Sequence, residues 1–316
     1  MKHLLSISNL TISQIVSYIS KAEKFKTQQI FYNNYNKMQS HILVNIFYEP
    51  STRTSCSFQA AMIKLGGNVI NITDKYSSVE KGESLEDTIK TASNYGDIIV
   101  IRHPKKGSAE IAASVSNIPV INAGDGNGEH PTQALLDIFT IKTELLKFNL
   151  NISSPHREKI VVTFVGDLKN SRTIHSLIHV LCLFPKISFI FINPKGLDLP
   201  EEFIFKLLDL HIEFQEDSTL ENALKKTDVL YVTRIQKERF ESEQEYNAIM
   251  MENNYIIDNH ILQYAKEQMI IMHPLPRLNE IHPEVDNDPR AVYFEQVKNG
   301  IYMRMAILDS ILYGEL

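Results

Sequence analysis

Nine of the 32 basic side chains are arginines, and five of these sit at or just past the carboxyl end of a short β-branched run: Arg53, Arg102, Arg172, Arg234 and Arg277. A guanidinium grips phosphate or carboxylate through paired hydrogen bonds, so this placement points to capture of small anions. The most informative piece is Ser51-Thr52-Arg53-Thr54, between the run ending FYEP and an apolar pattern at Phe58, Ala61, Met62 and Leu65. That pattern is helical, and a helix start offers open backbone N–H groups and a partial positive charge. An ordinary N-cap accounts for one hydroxyl. Three hydroxyls around an arginine would complete a cradle for a phosphate dianion.

Further strand ends bring more polar groups. IRHP delivers Arg102, and GDGNGEHPTQ delivers His130 and Gln133 on the first turn of a helix entered at Pro131. The glycines of that segment do not make GxGxxG, and no GxxxxGK[ST] occurs, so a nucleotide site is not indicated. His130 reads either as a cap or as a donor at the strand-end surface. The polar loop Ser77 to Ser84 holds Lys81, which alone reads as a solvated lysine. In the second half, GDLKNSR brings Arg172, TRIQKE brings Arg234 and Gln236, and HPLPR brings Pro274 and Leu275. Two arginines on separate loops suit a ligand with two carboxylates; the alternative pairs them with Asp167 and Glu238. His175 and His179 have helical i, i+4 spacing, but no third ligand accompanies them, and they read as packing or surface residues.

Alternation of strand and helix patterns must position these groups. Strands are expected at Ile42 to Tyr48, Asn68 to Thr73, Asp97 to Arg102 and Val120 to Ala123. A second series follows at Ile160 to Val165, Ile187 to Asn193, His211 to Gln215, Asp228 to Thr233 and Met269 to His273. This βαβ alternation predicts an α/β protein of two domains, each a mostly parallel sheet flanked by helices. In such sheets ligands bind outside the carboxyl ends of the strands, where the arginines lie. A helix from Pro131 to about Leu146 and the polar stretch FNLNISSPHREK set the boundary. The first domain is expected over 1–146 and the second over 147–290, with a final helix over 291–316 that packs back on the first.

With 316 residues, 43% apolar, the chain exceeds what one small core holds. A net charge of −6 gives no broad attraction to nucleic acid or anionic lipid, and no apolar run is long enough to span a membrane. Two distant cysteines, Cys56 and Cys182, offer neither a disulfide framework nor a CxxC metal site, which suits the cytoplasm.

With these segments in view, the chain resembles the catalytic chains of the aspartate carbamoyltransferase family. The likeness rests on FYEPSTRT, EKGESLEDT, IRHP, GDGNGEHPTQALLD, VGDLKNSRT, TRIQKER and HPLPR, in family order and nearly end to end. It implies transfer of a carbamoyl group from carbamoyl phosphate to the α-amine of L-aspartate, without a metal or organic cofactor, in pyrimidine synthesis. It also implies roles by position. Ser51, Thr52, Arg53, Thr54 and Arg102 would hold phosphate, while Thr54, Arg102 and His130 surround the carbonyl oxygen. Gln133 and the carbonyls of Pro274 and Leu275 would take the carbamoyl NH₂, and Arg172, Arg234 and Gln236 the aspartate carboxylates. Ser77 and Lys81 would reach the site of a neighbouring subunit in a homotrimer, Lys81 touching both substrates. A regulatory chain or other pathway enzymes would be compatible partners. Two departures stand out: Ser55 replaces the arginine common after STRT, and Glu80 precedes Lys81, each lowering the local positive potential. The rival readings are transfer to ornithine, which would call for a carboxylate in the second domain, and a catalytically silent binding subunit.

Overall fold

The computed structural model describes residues 3–28, 36–73, 82–154, 158–216, 219–240, 242–252 and 255–314. They form two compact units, one of 1–139 with 297–316 and one of 140–296.

The first unit opens with helix α1 (Ile12–Gln28) and continues through β1 (Ile42–Phe47), α2 (Thr52–Lys64), β2 (Asn68–Thr73), α3 (Leu85–Ala92), β3 (Ile98–His103), α4 (Ser108–Val115), β4 (Val120–Asp125) and α5 (Pro131–Leu146). All strand pairings are parallel in the order β2-β1-β3-β4. The buried faces of β1 and β3 pack Val44, Ile46, Ile99 and Ile101 against Ile89 of α3 and Ala109 and Ala112 of α4. Helix α3 starts where its capping pattern requires, with the Asp87 N–H donating to Ser84 Oγ at 3.1 Å.

The second unit runs through β5 (Ile160–Val165), α6 (Arg172–Leu181), β6 (Ile187–Ile192), α7 (Glu201–Asp209), β7 (Phe214–Glu216), α8 (Leu220–Leu224), β8 (Val229–Val232), α9 (Glu243–Glu252) and β9 (Ile270–Met272). Its parallel sheet has the order β7-β6-β5-β8-β9. The strands are continuous β-branched and aromatic runs because both faces are covered, and β6 and β8 are buried at every position. Phe164 lies edge-on to Tyr231 with centroids 5.6 Å apart, and stacks on Phe189 and Phe191 of β6.

The expected α/β class is borne out. Eight expected strands lie within two residues of their predicted ends; the ninth begins at Phe214 rather than His211, which takes a left-handed φ of 53° in the turn before it. The last helix, α10 (Tyr293–Tyr313), and α5 both run through the division between the units. No described helix is long and apolar enough to cross a membrane.

Candidate functional site

In the first unit the strand order reverses direction between β1 and β3, and the loops leaving those two strands carry the anion-binding candidates. The chain leaves β1 through Tyr48-Glu49-Pro50 and enters α2 with Ser51 at the N-cap. The Ser51 hydroxyl makes no capping bond, so the plain N-cap reading does not account for it. Helix bonding begins with the Ser55 N–H donating to the Ser51 carbonyl at 3.0 Å, so Thr52, Arg53 and Thr54 form the first turn, at the positive end of the helix. Thr52 and Arg53 are exposed and Thr54 is buried.

This turn is fixed from beneath. Asn45, 1% exposed in the middle of β1, donates to the Ser55 carbonyl and hydroxyl and to Asn71 Oδ1 on β2. Ser55, one of the two departures noted in the sequence, is thus the residue that ties the helix start to the sheet. From β3, Arg102 pairs through Nε with Glu49 of the first loop at 3.1 Å, and its carbonyl accepts the Tyr48 N–H at 2.9 Å.

The loop after β4 is built around Asp125. Its carboxylate, almost fully buried, accepts from the Gly107 and Glu129 N–H groups and from the Asn122 amide. Gly128 must be glycine here, since a Cβ would lie 2.5 Å from that carboxylate. Glu129 accepts from Ser6 and Ser8 hydroxyls and the Ile7 N–H, anchoring the loop to the N-terminal segment. His130 follows, 4% exposed, its carbonyl taking the Gln133 and Ala134 N–H groups at the start of α5. Gln133 turns its amide NH₂ to Asp137, 2.9 Å away. The first unit therefore gathers Ser51, Thr52, Arg53, Thr54, Arg102, His130 and Gln133 at the carboxyl ends of β1, β3 and β4. Ser77 and Lys81 lie outside the described residues.

The second unit repeats the device. Its strand order reverses between β5 and β8, and the loops there carry Arg172, Arg234 and Gln236. Gly166, at φ 115°, lets the β5 loop pass the end of β8; a Cβ there would meet the Thr233 carbonyl at 2.1 Å. Asp167, fully buried, accepts from the backbone and side-chain N–H groups of Asn170 and lies 3.5 Å from the Gln236 N–H. Burial pushes the Asp167 carboxyl above the ordinary range, and these hydrogen bonds pull against that shift. The Gln236 amide in turn donates to the Asn170 carbonyl at 3.1 Å, so one acid locks both loops. Arg172 begins α6 directly after this turn, and Arg234 lines a pocket with Tyr246, Tyr255 and Glu280.

Pro274 and Leu275 follow β9 in a turn with Leu275 at φ 55°. His273, 1% exposed, accepts the Leu275 N–H on Nδ1 and faces Glu280 through Nε2 at 2.8 Å, which fixes the ring's tautomer. Arg277, one of the five strand-end arginines, is turned to another use. It forms a two-pronged pair with Asp286, donates to the Tyr293 hydroxyl at 2.8 Å and lies over the Tyr293 ring. His175 bonds the Leu168 carbonyl and stacks on Phe203, and His179 bonds Lys206, in line with the packing reading.

The family model for the aspartate/ornithine carbamoyltransferase carbamoyl-P binding domain matches residues 2–143, and that for the Asp/Orn binding domain matches 158–311. The chain belongs to the aspartate/ornithine carbamoyltransferase family. It is 47% identical over 313 residues to the aspartate carbamoyltransferase catalytic subunit of Archaeoglobus fulgidus, covering 99% of each chain. The multifunctional protein CAD of Squalus acanthias is 46% identical over 311 residues, and there the chain spans 13% of the longer protein. Among solved structures, the catalytic subunit of the M. jannaschii aspartate transcarbamoylase superposes with a TM-score of 0.90 at 44% identity, covering 100% of this chain and 99% of that one. The Trypanosoma cruzi aspartate transcarbamoylase in complex with carbamoyl phosphate and aspartate gives 0.88 at 38%, covering 98% and 95%. Carbamoyltransferase chemistry goes with this membership.

Sequence reasoning did not single out Asn45, Asp125, Asp137, His273 or Glu280, the residues that hold the loops. Asp125, Asp137 and His273 did stand in quoted motifs, and for Asp137 an acid at i+4 from Gln133 on a helix was the available signal.

Proposed function

We propose that the chain transfers the carbamoyl group of carbamoyl phosphate to the α-amine of L-aspartate, giving N-carbamoyl-L-aspartate and phosphate. The observation that carries this reading is the repeated placement of arginines on the two loops at each sheet's reversal point, Arg53 and Arg102 in the first unit with Ser51, Thr52 and Thr54 beside Arg53, and Arg172 and Arg234 in the second with Gln236. The first arrangement suits a phosphate dianion. The second suits two carboxylates.

In this reading Ser51, Thr52, Arg53, Thr54 and Arg102 hold the phosphate, and Thr54, Arg102 and His130 stabilise the carbonyl oxygen as the amine attacks. The new N–C bond builds charge on that oxygen, so donors fixed there matter most, and losing one costs about 10²–10³ in turnover. The bond to the phosphate oxygen then breaks, and the departing phosphate takes the amine proton. Gln133 and the Pro274 and Leu275 carbonyls receive the carbamoyl NH₂; Arg172, Arg234 and Gln236 receive the aspartate carboxylates. Asp167 supports the last three by locking their loops. Holding two reactants in line contributes up to ~7–11 kcal/mol in intramolecular analogies.

The deciding assay follows phosphate release and carbamoyl-amino-acid formation with L-aspartate and L-ornithine side by side, with Arg53→Ala as control. Turnover with aspartate alone, lost in the control, is the expected result. Turnover with ornithine alone would overturn the roles of Arg172 and Arg234, and no turnover with either would favour a non-catalytic binding subunit.

We assign the chain to a cytoplasmic homotrimer whose sites are shared, Ser77 and Lys81 serving a neighbouring subunit. A regulatory chain or fused pathway enzymes are compatible with it, as fusion occurs in the CAD-type relatives. Mixing inactive Lys81→Ala and His130→Ala proteins should restore activity after subunit exchange; none would count against sharing.

A further inference from the structure

Behind the first unit's site lies a buried polar relay of which the reaction as written uses only the outer end, Gln133. Gln133 is on the first turn of α5, and its Nε2 donates to Asp137 Oδ1 at 2.9 Å, one turn further in. Asp137 is fully buried, and so is Arg304 of α10, at 3% exposure. The guanidinium of Arg304 interacts electrostatically with Asp137, donates to Ser57 Oγ of α2 at 2.9 Å, and lies over the Phe58 ring. Gly300 makes the room, since a Cβ there would meet Arg304 Nη1 at 2.7 Å. One buried cation thus joins the helix that begins at Ser51-Thr54 to the helix that carries Gln133.

The Asp137 oxygen that faces Gln133 is an acceptor, and it takes the hydrogen bond from the Gln133 NH₂. An amide side chain is nearly symmetric in shape, and its neighbours decide which end faces outward. Asp137 claims the NH₂ end, so the outward end of Gln133 is the carbonyl oxygen, an acceptor. An acceptor at that point suits an NH₂ group on the ligand and offers nothing to a methyl. We infer that Asp137, whose carboxylate oxygen takes the Gln133 NH₂, is a positioning residue that orients the Gln133 amide and so makes the first unit select carbamoyl over acetyl phosphate.

This rests on the proposed role of Gln133 toward the carbamoyl NH₂. Sites built to hydrogen-bond a donor discriminate strongly against analogues lacking it. The probe is acetyl phosphate, which replaces the NH₂ by CH₃, and the readout is its inhibition constant divided by KM for carbamoyl phosphate. Asp137→Asn keeps the shape but also brings a donor, so the Gln133 amide loses its fixed direction. The expected result is a roughly tenfold fall in the ratio, with inhibition by inorganic phosphate unchanged because the phosphate cradle is intact. Gln133→Ala should lower the ratio similarly. If Asp137→Asn weakens carbamoyl phosphate, acetyl phosphate and phosphate by one common factor, or leaves the ratio intact while Gln133→Ala lowers it, Asp137 is structural and the inference falls. If Gln133→Ala leaves the ratio intact, the reading of Gln133 itself falls. Should Asp137→Asn fail to fold, Asp137→Ser, too short to reach the amide, is read in the same way.

Discussion

The two units solve one problem with different materials. Each is a parallel sheet whose strand order reverses once, between β1 and β3 in the first and between β5 and β8 in the second, and each puts arginine-bearing loops at that reversal. In the first unit much of the positive potential comes from the main chain, through the open end of α2, with side chains added to it. In the second, Arg172 also stands at a helix start, that of α6, but the other guanidinium, Arg234, comes from a separate loop, and a buried acid, Asp167, keeps the two loops in register. A helix end is rigid and suited to one compact dianion. Two loops with separate guanidiniums can span a ligand with charges at both ends, at the cost of needing a lock.

The largest effect expected from this division is on the chemical step in the first unit. His130→Ala should lower kcat by about 10²–10³, the range for one donor to a developing oxyanion, with the KM for aspartate changed far less. Steady-state kinetics with both substrates varied checks this. A loss confined to KM would make His130 a binding residue and blur the contrast between the units.

Much of this was legible before the fold was known. Strand positions were readable because β1, β3, β5, β6 and β8 are β-branched runs between turn residues. Ser51-Thr54 and the second unit's arginines stood out because hydroxyls and guanidiniums do not cluster at strand ends by packing needs alone. Helix α1 was missed because its polar face, with Ser13, Gln14, Ser17 and Ser20, interrupts the apolar spacing of Ile15, Tyr18, Ile19 and Ala22, all buried. Arg277 was over-read, since its commitment to Asp286 is a tertiary pairing that spacing does not announce. The loop locks Asn45, Asp167 and His273 each act on a segment distant in sequence or on main-chain atoms, which no local pattern records.

A second effect, expected on the other side of the comparison, is smaller. Arg234→Ala should raise the KM for aspartate by roughly 10–100-fold, the equivalent of a charge-assisted hydrogen bond worth about 1.5–3 kcal/mol. Inhibition by inorganic phosphate should stay as it was. If phosphate binding weakens in parallel, the units do not divide the ligands as proposed.

Gly166→Ala probes the lock without removing a charge. The added Cβ has no room against the Thr233 carbonyl, and the φ of 115° is strained for any side chain, so the loop after β5 must shift. The expected outcome is a loss of about 1–3 kcal/mol in stability, measured by denaturant unfolding, with a severalfold rise in the aspartate KM. The counterpart in the first unit, Asn45→Ala, loosens Ser55 and should instead weaken phosphate inhibition. An aspartate effect from Asn45→Ala larger than that from Gly166→Ala would invert the comparison.

The smallest effect concerns acid. Burial, together with the nearby Lys206 charge, lowers the His179 pKa to about 4. In the unfolded chain this imidazole takes a proton near its ordinary value of about 6.5. Above that pH both states are neutral and His179 adds no pH dependence. As pH falls from about 6.5 toward about 4 the unfolded state binds the proton and the folded state does not, so stability is lost across that window and levels off below it. His179→Gln removes the titration, and the gap in Tm between the two proteins should therefore shift in favour of the variant on going from pH 7 to pH 5, by roughly 2–4 °C for each kcal/mol. Since α6 begins with Arg172, acid that loosens this helix should raise the KM for aspartate before it touches phosphate inhibition. A pH-independent gap would mean that His179 is not held neutral in the fold, and the second unit would lose its predicted sensitivity to acid.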